Sequence, residues 1–316
     1  MTVGGYIKSL AAKLQALYPD REAKVIAESA VCNVLAIERY KCLSEPDRII
    51  ADEQMLRLMA MESELLESKP LQYVLGSTTF AGLRIRVREG VLIPRPETEQ
   101  LFSLAADDAE AIMDASEDDN FNVLDICTGS GCLAYAFASE FPDAQVYGCD
   151  ISADALAVAC RQRVKCIRPV FFLADVLQAP PAGLPQFDVI VSNPPYFVDS
   201  LECPDDQRTM ARHTVSLTYE GLIRQAYRLL KDDGCLSLVI PSESRSLIES
   251  AASLEGFFLS RVCLIKTTPR KQPKRQLIEF RKHAAKELVI EEGIIEDSPN
   301  VRSAWYQQLT KEFYIK

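Results

Sequence analysis

Four residues, Asn193-Pro194-Pro195-Tyr196, close an apolar run, Phe187-Asp188-Val189-Ile190-Val191-Ser192, that reads as a buried strand. Proline fixes its own φ and biases the residue before it toward extended backbone, so the Asn193 side chain and the Pro194 carbonyl are expected to be held rigid and pointing the same way. Two acceptors aimed at one place suit a single NH2 group. Tyr196 would lie against the flat group carrying that nitrogen, whether an amide or a nucleobase. A proline-rich turn that merely stops a strand is the plainer alternative. The first reading makes Asn193, Pro194 and Tyr196 catalytic candidates and adds Pro195 to the substrate contacts.

Other strand ends supply a partner for this chemistry. Leu124-Asp125-Ile126-Cys127-Thr128-Gly129-Ser130-Gly131 stands directly before a helix, where glycines let backbone approach a ligand and unpaired N–H groups favour an anion. The next strand ends in Cys149-Asp150, a carboxylate able to accept from two ribose hydroxyls. The third ends in Asp175, placed to meet an adenine amino group. The glycine spacing differs from the Gly-x-Gly-x-x-Gly of a pyrophosphate turn, and the pattern fits S-adenosylmethionine. The cofactor-binding candidates are Asp125, Cys127, Thr128, Gly129, Ser130, Gly131, Asp150, Asp175 and Asn193.

The elements around these residues suggest an α/β protein with a helical preface. Between Thr2 and Lys69 apolar residues recur at helical spacing: Ile7, Leu10, Leu14 and Leu17, then Val25, Ile26, Ala30 and Val34, then Met55, Leu58, Met59, Leu65 and Leu66. Thr78 to Val87 reads as a hairpin, and a helix is expected from about Pro96, which suits a first turn. Beyond the acidic stretch Ser116-Glu117-Asp118-Asp119-Asn120, short apolar runs alternate with amphipathic helices at Gly131 to Glu140, Ala153 to Val164, Tyr219 to Leu230 and Ser242 to Leu254. Such alternation predicts a parallel sheet covered on both faces. Leu259 to Ile265 and Gln276 to Phe280 lack room for a helix between them, so an antiparallel hairpin is expected at a sheet edge. The division expected is a helical substrate-recognition domain over 1–76, a hairpin and connecting helix over 77–118, and a catalytic domain over 119–316.

At 316 residues and 48% hydrophobic content the chain can bury about two cores. No apolar run is long enough to span a membrane and no secretory pattern opens the chain, so a cytoplasmic protein without a membrane partner is expected. Ten cysteines without a Cys-x-x-Cys pair, and two histidines without partner spacing, point to reduced thiols and no metal. His213 reads as a surface residue. The net charge of −10 argues against indiscriminate nucleic-acid binding. A local RNA contact stays open at Lys266-Thr267-Thr268-Pro269-Arg270-Lys271-Gln272-Pro273-Lys274-Arg275, which reads equally well as a solvated hairpin loop.

Taken together, these residues resemble the class I S-adenosylmethionine-dependent amino-methyltransferases. Residues 1–196 resemble the peptide-chain release factor glutamine methyltransferases, the HemK family, in the helical preface, the hairpin, Leu92-Ile93-Pro94-Arg95-Pro96-Glu97-Thr98-Glu99, the glycine loop and Asn193-Pro194-Pro195-Tyr196. The resemblance implies a seven-stranded, mostly parallel sheet with an antiparallel C-terminal hairpin and a small N-terminal helical domain. It also implies active-site contacts from Arg95 and Glu97, cofactor contacts from Thr128, Gly129, Gly131 and Asp150, and substrate contacts from Asn193 to Tyr196. Cys127 departs from it, standing where many methyltransferases have glycine. Residues 197–316 are more similar to the tRNA adenine-N6 methyltransferases that act on valine tRNA, through Phe197 to Pro204, Ala211-Arg212-His213-Thr214, Pro273-Lys274-Arg275 and Leu309 to Tyr314.

The leading expectation is glutamine N5-methylation of release factors, with the helical preface docking the protein. Adenine N6-methylation of tRNA is the alternative, and a non-catalytic fusion that binds the cofactor or a translation partner is a third.

Overall fold

The structure, a computed structural model, describes residues 1–116, 120–178, 180–195, 218–298 and 301–309. It divides into two compact units, Met1–Thr78 with Val87–Glu89, and Thr79–Arg86 with Gly90–Lys316. Tyr196, Cys203, His213 and most of the stretches that resemble the tRNA enzymes lie outside the described residues.

The first unit contains α1 (Val3–Leu14), α2 (Asp20–Leu35), α3 (Arg39–Ser44), α4 (Asp52–Leu66) and α5 (Leu71–Leu75). Thr2 starts α1, its Oγ1 accepting from the Gly5 N–H at 3.1 Å. Leu10, Leu14, Ala23, Ala27, Val31, Leu58 and Leu65 form the buried centre. Leu17, expected inside, lies past the end of α1 and is exposed; Val25, Met59 and Leu66, also expected inside, are exposed within helices. Each of the last three is the chain neighbour of an inward residue, and neighbours on a helix point about 100° apart, so only one of the two can face the core.

β1 (Ser77–Phe80) and β2 (Leu83–Arg86) form the expected hairpin, turning at Ala81 and Gly82 with φ of 45° and 72°. The second unit then continues through α6 (Pro96–Ala115), β3 (Asn122–Ile126), α7 (Cys132–Glu140), β4 (Gln145–Asp150), α8 (Ala153–Ala159), β5 (Val170–Leu173) and β6 (Phe187–Ser192). After the helix Tyr219–Leu229 come β7 (Leu230–Pro241), the helix Arg245–Glu255, β8 (Phe258–Lys266), β9 (Arg275–Arg281) and β10 (Val289–Ile294). This is the class I methyltransferase fold, with a mostly parallel sheet in the second unit and a small helical domain as the first.

The strand order is β10-β8-β9-β7-β6-β3-β4-β5, eight strands where seven were expected. The eighth, β10, pairs parallel to β8, so the antiparallel β8–β9 hairpin is not the sheet edge. The sequence of β10, Val289-Ile290-Glu291-Glu292-Gly293-Ile294, carries two glutamates and a glycine because the strand lies at the exposed margin. It lacks the apolar run that marks an interior strand.

β3 and β6 are buried at every residue, as central parallel strands require. Their side chains alternate between two cores. Val123, Val189 and Val191 pack with Phe102, Ala105 and Phe137 on one face, while Leu124, Ile126 and Ile190 pack with Leu222, Ile223 and Ile248 on the other. β3 pairs with both β4 and β6. The chain therefore winds outward one way through β4 and β5 and the other way from β6, and the crevice for a ligand lies where these directions part.

α8 ends at Ala159, short of the expected Val164. Gln162 is the reason. Its Nε2 donates to the Ser130 and Arg86 carbonyls, each at 2.9 Å, and its Oε1 accepts from the Arg86 N–H at 2.8 Å. Three tertiary hydrogen bonds outweigh one more helical turn. Among the described residues no helix is long and apolar enough to cross a membrane.

Candidate active site

The glycine loop is built by its backbone. Cys127, Gly129 and Gly131 all have left-handed φ, at 60°, 54° and 81°. Gly131 tolerates nothing larger: an added Cβ would sit 3.1 Å from both Ala159 Cβ and Phe171 Cζ. Combining that crowding with the left-handed penalty, Gly131→Ala is expected to cost about 2–4 kcal/mol, read as a lowered melting temperature. An unchanged melting temperature would refute this account of the loop.

Cys127 bears the left-handed cost without being glycine. The residue lines the cavity, and burial, followed by the charge of nearby Asp150, pushes the pKa of its thiol well up. A neutral thiol is a poor methyl acceptor.

Asp125 works beneath the loop, away from the cavity lining. Its Oδ2 accepts from Thr128 Oγ1 at 2.5 Å and from the Ala134 N–H at 3.3 Å, which fixes the loop on the start of α7. Burial is the largest influence on this carboxyl and the Asp150 charge adds to it; together they push it up to about 7. A raised carboxyl pKa favours the protonated folded state. Its contribution to stability is full below about pH 4 and is lost as pH rises to about 7. Asp125→Asn should therefore flatten the fall in melting temperature between about pH 4 and pH 7; an unaltered slope would place the titration elsewhere.

Asp150, at the end of β4, receives the Gly129 N–H on Oδ2 and the Ser152 N–H on Oδ1, both at 2.9 Å. Each oxygen keeps a second lone pair for a hydroxyl. Asp175 follows β5, with Oδ1 accepting from the Leu177 N–H at 3.0 Å and Oδ2 from Gln178 Nε2 at 3.1 Å.

At the end of β6, Ser192 Oγ donates to the Ile126 carbonyl at 2.6 Å and ties the strand to β3. Asn193 then stands half-buried, Pro194 buried and Pro195 exposed. Asn193 Nδ2 donates to Thr98 Oγ1, 2.7 Å away on the first turn of α6.

These strand ends open on one cavity of about 740 Å³, within the range of small-molecule sites. Of the residues singled out in the sequence, Arg95, Glu97, Cys127, Gly129, Asp150, Asp175, Asn193, Pro194 and Pro195 line it. Asp125, Thr128, Ser130 and Gly131 do not. Asp125, Thr128 and Ser130 are buried and support the loop from behind. Two residues carried no role in the sequence reading: Thr98 sat unremarked inside Leu92 to Glu99, and Gln162 looked like one more helical surface position. Neither had a local signal, because each gains its partner only through the tertiary fold. Arg275, read from sequence only as part of the basic segment open to RNA, lines the cavity.

The cavity fits S-adenosyl-L-methionine by its donor and acceptor set. A carboxylate with a remaining lone pair on each oxygen suits a vicinal diol, and the second carboxylate and apolar Ile151, Val176 and Leu177 suit a purine. At Gly129, lining the same cavity, an added Cβ would meet only one atom, the Cys127 carbonyl oxygen at 4.0 Å.

Residues 108–260 match the family model described as the methyltransferase small domain, and residues 6–76 the model described as the PrmC N-terminal domain. The tRNA1(Val) (adenine(37)-N6)-methyltransferase of Phocaeicola vulgatus is 41% identical over 198 residues, covering 61% of this chain and 82% of that protein. The chain belongs to the S-adenosylmethionine-dependent methyltransferases of the HemK and small-domain family. Its cofactor is S-adenosyl-L-methionine.

Within that family the chain is also similar to release factor glutamine methyltransferases. The protein of Flavobacterium psychrophilum is 34% identical over 197 residues, covering 62% of this chain and 68% of the relative. That of Bacteroides thetaiotaomicron is 35% identical over 188 residues, covering 59% of this chain and 65% of the relative. The relatives are thus divided between two substrates. Among the described residues no group of three or more His, Cys, Asp or Glu side chains is arranged to hold a metal ion.

Proposed function

We propose that this methyltransferase modifies the side-chain amide nitrogen of a glutamine in a peptide-chain release factor. The observation that carries the reading is the match of residues 6–76 to the PrmC N-terminal domain, since nothing in a small tRNA substrate calls for it and a protein substrate would use a docking module. Such a substrate also places the enzyme in the cytoplasm.

When bound, S-adenosyl-L-methionine supplies a methyl group on a positively charged sulfur. The chain's own residues prepare the nitrogen. An amide nitrogen is a poor nucleophile because its lone pair is delocalised toward the carbonyl. Asn193 Oδ1 and the Pro194 carbonyl, each accepting one N–H, favour a pyramidal nitrogen with its lone pair pointed at the donor; orientation and fixed dipoles are the main levers. Cofactor contacts fall to the glycine loop, Asp150 and Asp175, and Arg95 and Glu97 face the substrate end. A strong base is unnecessary, because the proton becomes acidic once nitrogen is alkylated.

A second reading, N6-methylation of adenine in tRNA, is favoured by the 41% identity to the Phocaeicola vulgatus enzyme and by Arg275, the last cation of the basic segment, which lines the cavity. Radiolabelled methyl donor offered separately to unmodified release factor and to unmodified tRNA decides between them. Label on the release factor glutamine is expected. Label in tRNA alone would replace the first reading with the second, and label in neither would favour a non-catalytic binder.

A further inference from the structure

The helix α3 is too short to stand alone. Its six residues make fewer than two turns, well below the length at which an isolated helix holds in water, so its place depends on what ties it to α2. Two side-chain contacts do this. Arg39 Nε donates to Glu28 Oε2 at 2.7 Å, and Cys42, the one buried residue of α3, meets Cys32 of α2 sulfur to sulfur at 3.3 Å. Nothing in the sequence marks this pair, because ten positions separate the two thiols and neither belongs to a Cys-x-x-Cys.

A disulfide bond is about 2.05 Å long, so the two sulfurs stand about 1.2 Å beyond bonding distance, a shift on the scale of a partial side-chain rotation. They also differ in access. Cys32 is partly exposed while Cys42 is buried at 3%, so a small oxidant meets Cys32 first.

We propose that Cys32 and Cys42 are a modification site, a dithiol that hydrogen peroxide converts into a disulfide stapling α3 to α2. Cys32 Sγ attacks one peroxide oxygen, the O–O bond breaks, and the departing hydroxide takes the thiol proton to become water, leaving Cys32 as a sulfenic acid. Cys42 Sγ then attacks that sulfur. The S–S bond forms as the S–O bond breaks, and the Cys42 proton goes to the second water. Two thiols give up two electrons and two protons, and peroxide takes them. A thiol reductant reverses the bond, as suits a link made transiently in a reducing compartment.

Burial, and then the contact with Cys42, pushes the Cys32 thiol up to about 12; the charge of Glu28 adds to this and that of Arg39 opposes it. Thiolate is therefore scarce at neutral pH, and the first step is slow. The site answers sustained oxidant, not brief exposure.

Trypsin separates the two thiols, because it releases Cys32 on Val25 to Arg39 and Cys42 on Cys42 to Arg48. The full chain is held in excess hydrogen peroxide, its remaining thiols are blocked with iodoacetamide, and it is digested without reductant. The two peptides joined, lighter by two hydrogens than their sum, are the expected main product at these cysteines, and dithiothreitol should part them. Cys32→Ser should give no joined peptide. Hydrogen exchange at the α3 amides should slow about tenfold or more in the linked chain, since closing a short loop stabilises what it encloses.

Cys160, an exposed thiol, gauges how far oxidation has gone. Free thiols at Cys32 and Cys42 that outlast complete conversion of Cys160 to a sulfonic acid would overturn the proposal. So would sulfinic or sulfonic acid on either residue without the joined peptide, or a link from either to another cysteine. A joined peptide with unchanged exchange in α3 would overturn the claim that the bond staples this helix.

Discussion

Asn193→Ala is expected to slow methyl transfer about 10²–10³-fold while leaving affinity for S-adenosyl-L-methionine near that of the parent chain. The side chain stands at the end of β6 on the cavity wall, and its amide is held from behind by Thr98. In the proposed function its loss removes one of the two acceptors that would shape the nitrogen in the transition state. Removing a single fixed polar group aimed at a reacting atom costs about 10²–10³ in rate. The cofactor contacts proposed at the glycine loop, Asp150 and Asp175 lie at other strand ends and are untouched. Single-turnover transfer and calorimetric titration together check this. Collapse of cofactor binding in the variant would show that Asn193 holds the cofactor and that its role in catalysis has been misassigned.

Asp150→Ala should have the complementary signature, a loss of cofactor affinity of about 100-fold or more. Two hydrogen bonds from ligand hydroxyls to a carboxylate are each worth about 1.5–3 kcal/mol when the acceptor is charged. The same carboxylate also receives the Gly129 and Ser152 N–H groups, so its removal loosens the loop and the turn into α8. Calorimetry with S-adenosyl-L-methionine measures the effect. Unchanged affinity would count against the ribose assignment, and Asp150→Asn, which keeps one oxygen, should fall between parent and alanine.

How far the sequence reveals this molecule depends on whether a residue's partner is near it in the chain. β6 was legible to the residue, Phe187 to Ser192, because a strand buried on both faces and stopped by two prolines has no other reading. The start of α6 was legible for the same reason, a proline placed where its missing N–H costs nothing. β10 was not, since a margin strand gains its hydrogen bonds from β8 and needs no apolar pattern of its own. Within the site, the cavity-lining carboxylates were found because strand ends converge by topology. Thr98 and Gln162 were missed because a threonine in a first turn and a glutamine after a helix look ordinary until residues 95 and 76 positions away in sequence come to bond them.

Glu99 binds distant parts of the catalytic unit in a comparable way. Its Oε1 accepts from the Ala81 N–H at the hairpin turn at 2.6 Å, and its Oε2 from the Tyr306 hydroxyl at 3.1 Å, both in buried surroundings. Burial is the main cause that pushes the tyrosine up to about 12, so it stays a donor throughout the ordinary pH range. The consequence concerns how this chain can be cut and recombined. A chimera that exchanges the segment after β10 with one from a relative must bring a donor for Glu99 Oε2, or else it takes one hydrogen bond from a buried carboxylate one residue from Thr98. What looks in the linear sequence like a trailing appendix is, for anyone redesigning the enzyme, a keystone.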